Sequence, residues 1–142
     1  MKFFLISFFT VLIFLPQILF ANVNPGIWGR WIAQNYLQSR GVQLQLAFDF
    51  TPTATQMTAN CYFSDGAALQ ASTYSYATYF NTEIYIQETR ENVTQDGYHF
   101  CRASLAPSTW SASFDYSGRL VLYMPIPYQS QFFLVRTGYS LN

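Results

Sequence analysis

Charge is scarce in this chain, which has seven Lys and Arg residues and seven Asp and Glu residues among 142, and so no net charge at pH 7. Lys2 is the only lysine, and if the segment that contains it is removed, six arginines remain against seven acids. A nucleic-acid-binding protein needs a basic surface that neutralises phosphates. The composition therefore argues against that class of function.

Histidine and cysteine are equally scarce, with His99, Cys61 and Cys101 as the only examples. A serine nucleophile needs an oriented base, and no serine lies in a G-x-S-x-G pattern. One histidine and two separated cysteines do not form a metal-ligand cluster. We expect neither a metal nor a cofactor, and we interpret His99 as a strand residue.

Acidic residues gather around one predicted strand and its turn, namely Glu83, Glu88, Glu91 and Asp96. An acid pair of the glycosidase type is conceivable there. A solvated hairpin end explains these residues better. We therefore expect a protein that is not an enzyme.

The amino-terminal segment has the pattern of a secretory signal peptide. Lys2 supplies a positive charge, residues 3–15 are almost entirely apolar, and Ala21 is a small residue suited to cleavage. A retained membrane anchor is disfavoured, because the apolar run is shorter than the ~20 residues that span a bilayer. We predict a signal peptide over residues 1–21 and one domain over residues 22–142, secreted or periplasmic and not embedded in a membrane after cleavage.

The predicted export affects the expected oxidation state of the two cysteines, which lie 40 positions apart. An oxidising compartment favours a Cys61–Cys101 disulfide over two free thiols. Two buried, unbonded cysteines remain the alternative.

Alternation of apolar and polar residues dominates the rest of the chain. Residues 42–50, 57–63, 84–86, 110–116 and 120–124 follow a period of two, which is typical of strands with one buried face. Turn residues such as Asp65-Gly66 and Asp96-Gly97 separate these runs. Only residues 32–39 have a pattern compatible with a short helix. Eight or nine strands at this spacing predict a sandwich or a barrel.

Two competing all-β architectures fit the sequence less well. An immunoglobulin-type sandwich would place a tryptophan between the cysteines, whereas Trp110 follows Cys101. A transmembrane barrel would need an apolar outward face, whereas the second face of residues 42–50 carries glutamines and an aspartate.

The two ends of the domain carry a resemblance to a known family. Gly26-Ile27-Trp28 near the start and Arg136 in the last strand resemble the lipocalins and the wider calycin group. This resemblance implies an all-β, closed, antiparallel up-and-down barrel of about eight strands. It also implies that Trp28 plugs the floor of the barrel and that the Arg136 guanidinium packs over its ring.

Such a barrel is wide enough to pack its own side chains or to hold one small ligand. Our leading hypothesis is an exported binding protein that holds an apolar or amphipathic small molecule inside the barrel. Alternation selects the ligand-binding candidates Phe48, Phe50, Phe63, Trp110, Phe114 and Met124.

The alternative hypothesis is an inhibitor of an exported hydrolase of the protease or lysozyme type. It would act through a protruding segment, either residues 22–26 or the Asp96-Gly97 turn. A third hypothesis is an envelope component that binds a partner through exposed tyrosines, with Tyr74, Tyr76 and Tyr79 as candidates or as a plain outer aromatic girdle.

Overall fold

The computed structural model describes residues 25–137, which contain eleven strands and one short 3₁₀ helix. The predicted signal peptide over residues 1–21 and the first residues of the predicted domain lie outside this part of the chain. In chain order the elements are η1 (Pro25–Ile27), β1 (Gly29–Ala33), β2 (Leu37–Ser39), β3 (Val42–Thr51), β4 (Ala54–Phe63), β5 (Ala68–Phe80), β6 (Glu83–Ile86), β7 (Arg90–Asp96), β8 (His99–Leu105), β9 (Ser108–Phe114), β10 (Leu120–Met124) and β11 (Ser130–Arg136).

Eight of these strands form a closed antiparallel barrel. Around the wall the order is β1, β3, β4, β5, β6, β9, β10, β11 and β1 again. Ile32 of β1 shows the closure directly, because it lies opposite Val135 of β11 on one side and Ala47 of β3 on the other. The predicted all-β, closed up-and-down barrel of about eight strands is confirmed.

The segment over residues 32–39, which the sequence presented as a short helix, is instead the end of β1, a bend and β2. Strands β1 and β2 both pair with β3, so they act as one interrupted strand. Asn35 lies in the interruption, where its side-chain amide makes the hydrogen bonds to β11 that backbone groups make elsewhere in the ladder. Its Nδ2 donates to Gln131 O at 3.0 Å, and its Oδ1 accepts from Phe133 N at 3.0 Å. The segment is therefore not helical, and this polar side chain continues the ladder across the break.

The interior is filled by large apolar side chains from the barrel wall and from β8. Strand alternation sends one side chain in two inward. The largest fully buried side chains are Trp31, Trp110, Phe48, Phe50, Phe132, Leu46, Met57, Ile84, Leu105, Leu120, Leu122 and Met124. Phe48 lies among aromatic neighbours, with ring centroids 5.7 Å from Trp110, 5.8 Å from Phe50 and 6.3 Å from Phe132.

Strands β7 and β8 form a separate two-stranded sheet, inserted in the chain between the neighbouring barrel strands β6 and β9. This hairpin packs against β4 and β5. Its inner face carries Cys101, Ala103 and Leu105, all buried. The predicted disulfide is confirmed, since Cys101 is bonded to Cys61 of β4 with 5.8 Å between their Cα atoms.

Among the described residues, no helix has the length and apolar character needed to cross a membrane.

Candidate functional site

The two ends of the barrel differ in what covers them, and we name them accordingly. The closed end lies at η1, the start of β1 and the end of β11. The hairpin end lies at the β4–β5 turn (residues 64–67) and the β7–β8 hairpin.

At the closed end, a guanidinium covers an indole, as the resemblance implied, but the indole belongs to another tryptophan. The Arg136 Cζ atom lies 4.4 Å from the centre of the Trp31 ring. Trp31 points inward from β1, whereas Trp28 precedes the strand and its ring contacts Tyr79 edge-on at 4.7 Å. The prediction that Arg136 packs over the Trp28 ring was therefore wrong, although that ring does lie half-buried against the core.

Trp28 contributes to this seal through its backbone instead. Arg136 Nη1 donates to Trp28 O at 2.8 Å, and Arg136 Nη2 donates to Gly26 O. The Trp31 indole Nε1 donates to Ile27 O at 2.8 Å. One cation–π contact and three hydrogen bonds thus fix the segment before β1 across the end of the barrel.

Beside this seal, the closed end contains a cavity of about 160 Å³. Ile27, Ile84, Phe114 and Leu120 form its apolar wall, with Tyr79 also in contact. An engineered cavity of about 150 Å³ in another protein holds benzene, so this space suits a ligand of one small ring.

The six ligand-binding candidates from the sequence do not form one site. Phe48, Phe50, Trp110 and Met124 are buried together in the core of the barrel. Phe114, 39% exposed, lines the cavity at the closed end. Phe63 lies at the hairpin end, with its ring 4.4 Å from that of His99.

The β7–β8 hairpin is held to the barrel by contacts along its length. Besides the Cys61–Cys101 disulfide, Asn92 Nδ2 donates to Ser72 O at 2.8 Å. His99 Nε2 lies 2.7 Å from the Asp65 carboxylate in the β4–β5 turn. These contacts fix the position of the hairpin relative to the barrel wall.

The Asp65 carboxylate is electrostatically suited to this contact. Its pKa lies below the ordinary value, first because Ala67 N donates to it at 3.0 Å and also because of the neighbouring His99 ring. The carboxylate is therefore ionised across the physiological range and available as an acceptor.

The tip and outer face of the hairpin expose large side chains to solvent. Tyr98, between Asp96 and His99, is 100% exposed, and Phe100 is 56% exposed. Phe100 and Arg102 line an open groove of about 510 Å³ together with Val93 and Gln95. Arg102 also pairs with Glu91 at 3.6 Å. The tip and outer face of the hairpin are thus an exposed candidate surface for recognition.

Sequence reasoning selected the Asp96-Gly97 turn but missed Tyr98 and Phe100. A signal for Phe100 was available, because Cys101, once bonded to the barrel, fixes the inward face of β8 and sends its neighbours outward. No corresponding signal marks Tyr98, whose exposure depends on where the hairpin lies.

Three of the four acidic residues considered for catalysis are bound to separate partners. Glu88 pairs with Arg90 at 2.7 Å, Glu91 with Arg102, and Glu83 accepts a hydrogen bond from the Tyr85 hydroxyl. Within residues 25–137, no group of three or more His, Cys, Asp or Glu residues is placed to hold a metal ion.

No protein-family model, curated protein or solved structure matches the chain.

Proposed function

We propose that this protein is an exported, lipocalin-like barrel that binds another protein through the β7–β8 hairpin. The expected partner is an exported hydrolase of the protease or lysozyme type. The observation that carries the proposal is Tyr98, fully exposed at the tip of a hairpin that a disulfide fastens to the barrel. Support for the lipocalin relationship comes from the Arg136–Trp31 contact at the closed end.

An exposed tyrosine on a fixed support has the properties of a binding anchor. Tyrosine and arginine are enriched among the residues that dominate interface energies. Tyrosine also offers a large contact area with few rotatable bonds. Because the disulfide and the His99–Asp65 contact already hold the hairpin, little conformational freedom would be lost on binding.

The exposed tip of the hairpin favours an enzyme cleft as the complementary surface. Substrate sites of enzymes are concave and largely preformed, so they can receive a fully exposed side chain such as Tyr98. Phe100 and Arg102 on the outer face would contact the wall of such a cleft while Tyr98 enters it.

Inhibition of purified hydrolases tests this proposal. We expect the full chain to inhibit at least one enzyme from a panel of exported serine proteases, metalloproteases and lysozymes. The Tyr98→Ala variant should bind that enzyme at least about 30-fold more weakly, the loss expected for an interface anchor.

Tyr116→Ala provides a matched control. Tyr116 is also fully exposed, but it lies in the β9–β10 turn at the closed end. It should leave inhibition unchanged. Equal losses in both variants, or no inhibition across the panel, would refute the proposal.

A second candidate function is the carriage of a small apolar molecule, and the cavity at the closed end favours it. The ligand would be smaller than the one first hypothesised, because Phe48, Phe50 and Trp110 occupy the interior with one another. Native mass spectrometry with benzene and indole as probes tests it. Ala112→Phe, which fills the cavity, should abolish binding, and retained binding would contradict this assignment.

A further inference from the structure

A long uncharged track runs along the outer face of the β4–β5 ladder. On β4 its outward side chains include Gln56, Thr58, Asn60 and Tyr62, and on β5 they include Gln70, Ser72, Tyr74 and Tyr76. No charged residue occurs among the outward positions of β4, or of β5 between positions 68 and 76.

Tyrosines lie at both ends of the track. Tyr74 and Tyr76 are each 51% exposed, with ring centroids 6.4 Å apart. At the other end, Tyr62 is exposed and lies 6.3 Å from Tyr36. Tyr62 is six residues from Gln56, the cross-strand partner of Tyr74, so the track is about 20 Å long.

Neutral hydrogen-bonding side chains occupy the middle of the track. The hydroxyls of Thr58 and Ser72 are hydrogen-bonded at 2.8 Å, and Gln70 Nε2 donates to Asn60 Oδ1 at 3.0 Å. These bonds hold the side chains in place across the two strands. Each amide and hydroxyl keeps further donor or acceptor capacity toward solvent.

We propose that this track binds a neutral polysaccharide. A sugar ring has an apolar C–H face and hydroxyls at its edge. The tyrosine rings would stack against such faces, while the amides and hydroxyls between them would bond to the sugar hydroxyls. A polymer is indicated rather than a single sugar, because the tyrosines lie at both ends of about 20 Å of sheet.

The arrangement fits this partner better than the other classes. A phosphorylated or acidic polymer would need cations on the track. The charges beside the track are paired with one another. Arg90, 5.5 Å from the Tyr74 ring, pairs with Glu88. Asp49 of β3, which lies opposite Gln56, pairs with Arg30 at 3.5 Å. Protein interfaces have an apolar centre and a polar rim, whereas here the aromatic residues lie at the ends and the centre is polar.

This binding would be separate from that proposed for the hairpin. Cys61 points inward from β4 to the hairpin, and Asn60 and Tyr62 point outward to the track. The two surfaces therefore lie on opposite faces of the same strands, and their tests can fail independently.

Titration of the full chain with cellohexaose, chitohexaose, maltohexaose, laminarihexaose and mannohexaose tests the proposal by calorimetry. At least one should bind saturably, with the same affinity at low and high salt. Tyr74→Ala and Tyr62→Ala should each weaken binding about tenfold, whereas Tyr74→Phe, which keeps the ring, should stay within about twofold.

Tyr123→Ala is the matched control, because Tyr123 is 43% exposed and faces outward from β10, outside the track. Circular dichroism would verify that every variant folds. Binding of none of the hexasaccharides, or equal loss in the Tyr123 variant, overturns the proposal. Self-association or capture of a protein that depends on Tyr74 in the absence of sugar binding also overturns it.

Discussion

Removal of the disulfide should loosen the β7–β8 hairpin and lower the stability of the whole chain. The two cysteines are 40 positions apart, and closure of a loop of that length stabilises a fold by about 4 kcal/mol in the chain-entropy model. Both cysteines are buried among apolar side chains. The double variant Cys61→Ala/Cys101→Ala therefore leaves no unpaired polar group, and its loss of stability reports mainly on the cross-link.

For a domain of this size, about 4 kcal/mol corresponds to a decrease of about 12–20 °C in melting temperature. Calorimetry of the double variant and of the reduced wild type should give similar decreases. Hydrogen exchange adds a local test, because β7 and β8 form their own sheet. Amides of residues 90–105 should exchange faster in the double variant than those of β3 and β4. A decrease under about 5 °C, with exchange in the hairpin unchanged, would refute this account of how the hairpin is held.

Three further predictions follow from contacts elsewhere in the structure. Arg136→Met should lower the free energy of unfolding by about 2 kcal/mol in urea titrations, because it removes the cation–π contact with Trp31 and two hydrogen bonds. Arg136→Lys should lower the free energy of unfolding by less, because it keeps the positive charge. The pKa of Asp115 is lowered to about 2, first by the hydrogen bond from the Ser117 hydroxyl. The ionised carboxylate therefore stabilises the fold at pH values above its ordinary pKa of 3.8, and this stabilisation is lost as the pH falls through about 2. In an NMR titration toward low pH, this carboxyl should be protonated only near pH 2. An ordinary pKa for Asp115 would contradict the hydrogen bond with Ser117. Burial raises the pKa of Tyr79 to about 12, so an ultraviolet titration should show a late phase that is missing in Tyr79→Phe.

Strand alternation was a sufficient basis for predicting an all-β sandwich or barrel, and the resemblance carried by the chain ends favoured the closed barrel. Residues 42–50 read as a strand with one buried face, and β3 has that pattern, with Leu46, Phe48 and Phe50 buried. The inference is robust because a shift of one residue would move every apolar side chain to the solvent side. A period of two does not say which strands meet, and that information came from the chain ends and the turns.

The tryptophan at the closed end shows where a short motif misleads. The G-x-W pattern selected Trp28, although Trp31 and Ala33 carry the inward alternation of β1. The alternation of inward and outward residues along β1 was therefore the better predictor of which indole lies beneath Arg136. The motif located the correct segment of chain and the wrong ring.

The position of the β7–β8 hairpin could not be predicted from the same kind of pattern. Residues 99–105 alternate as a strand with one buried face, and Cys101, Ala103 and Leu105 are indeed buried. Alternation says that one face is covered but not which surface covers it. The bond to Cys61 was the one contact between the hairpin and β4 that the sequence predicted, and it was predicted without its geometry.

The tightly packed interior of the barrel favours a functional site on its outer surface. Phe48 is surrounded by Phe50, Trp110 and Phe132, so large rings already fill the volume in which a lipid-sized ligand would lie. Interiors packed in this way stabilise the fold and resist opening. The most exposed rings instead lie outside it, on the hairpin, on the outer face of β5 and, with Tyr116, in the β9–β10 turn. A small, rigid scaffold with few charges and many exposed tyrosines is better suited to surface recognition than to enclosing a large ligand.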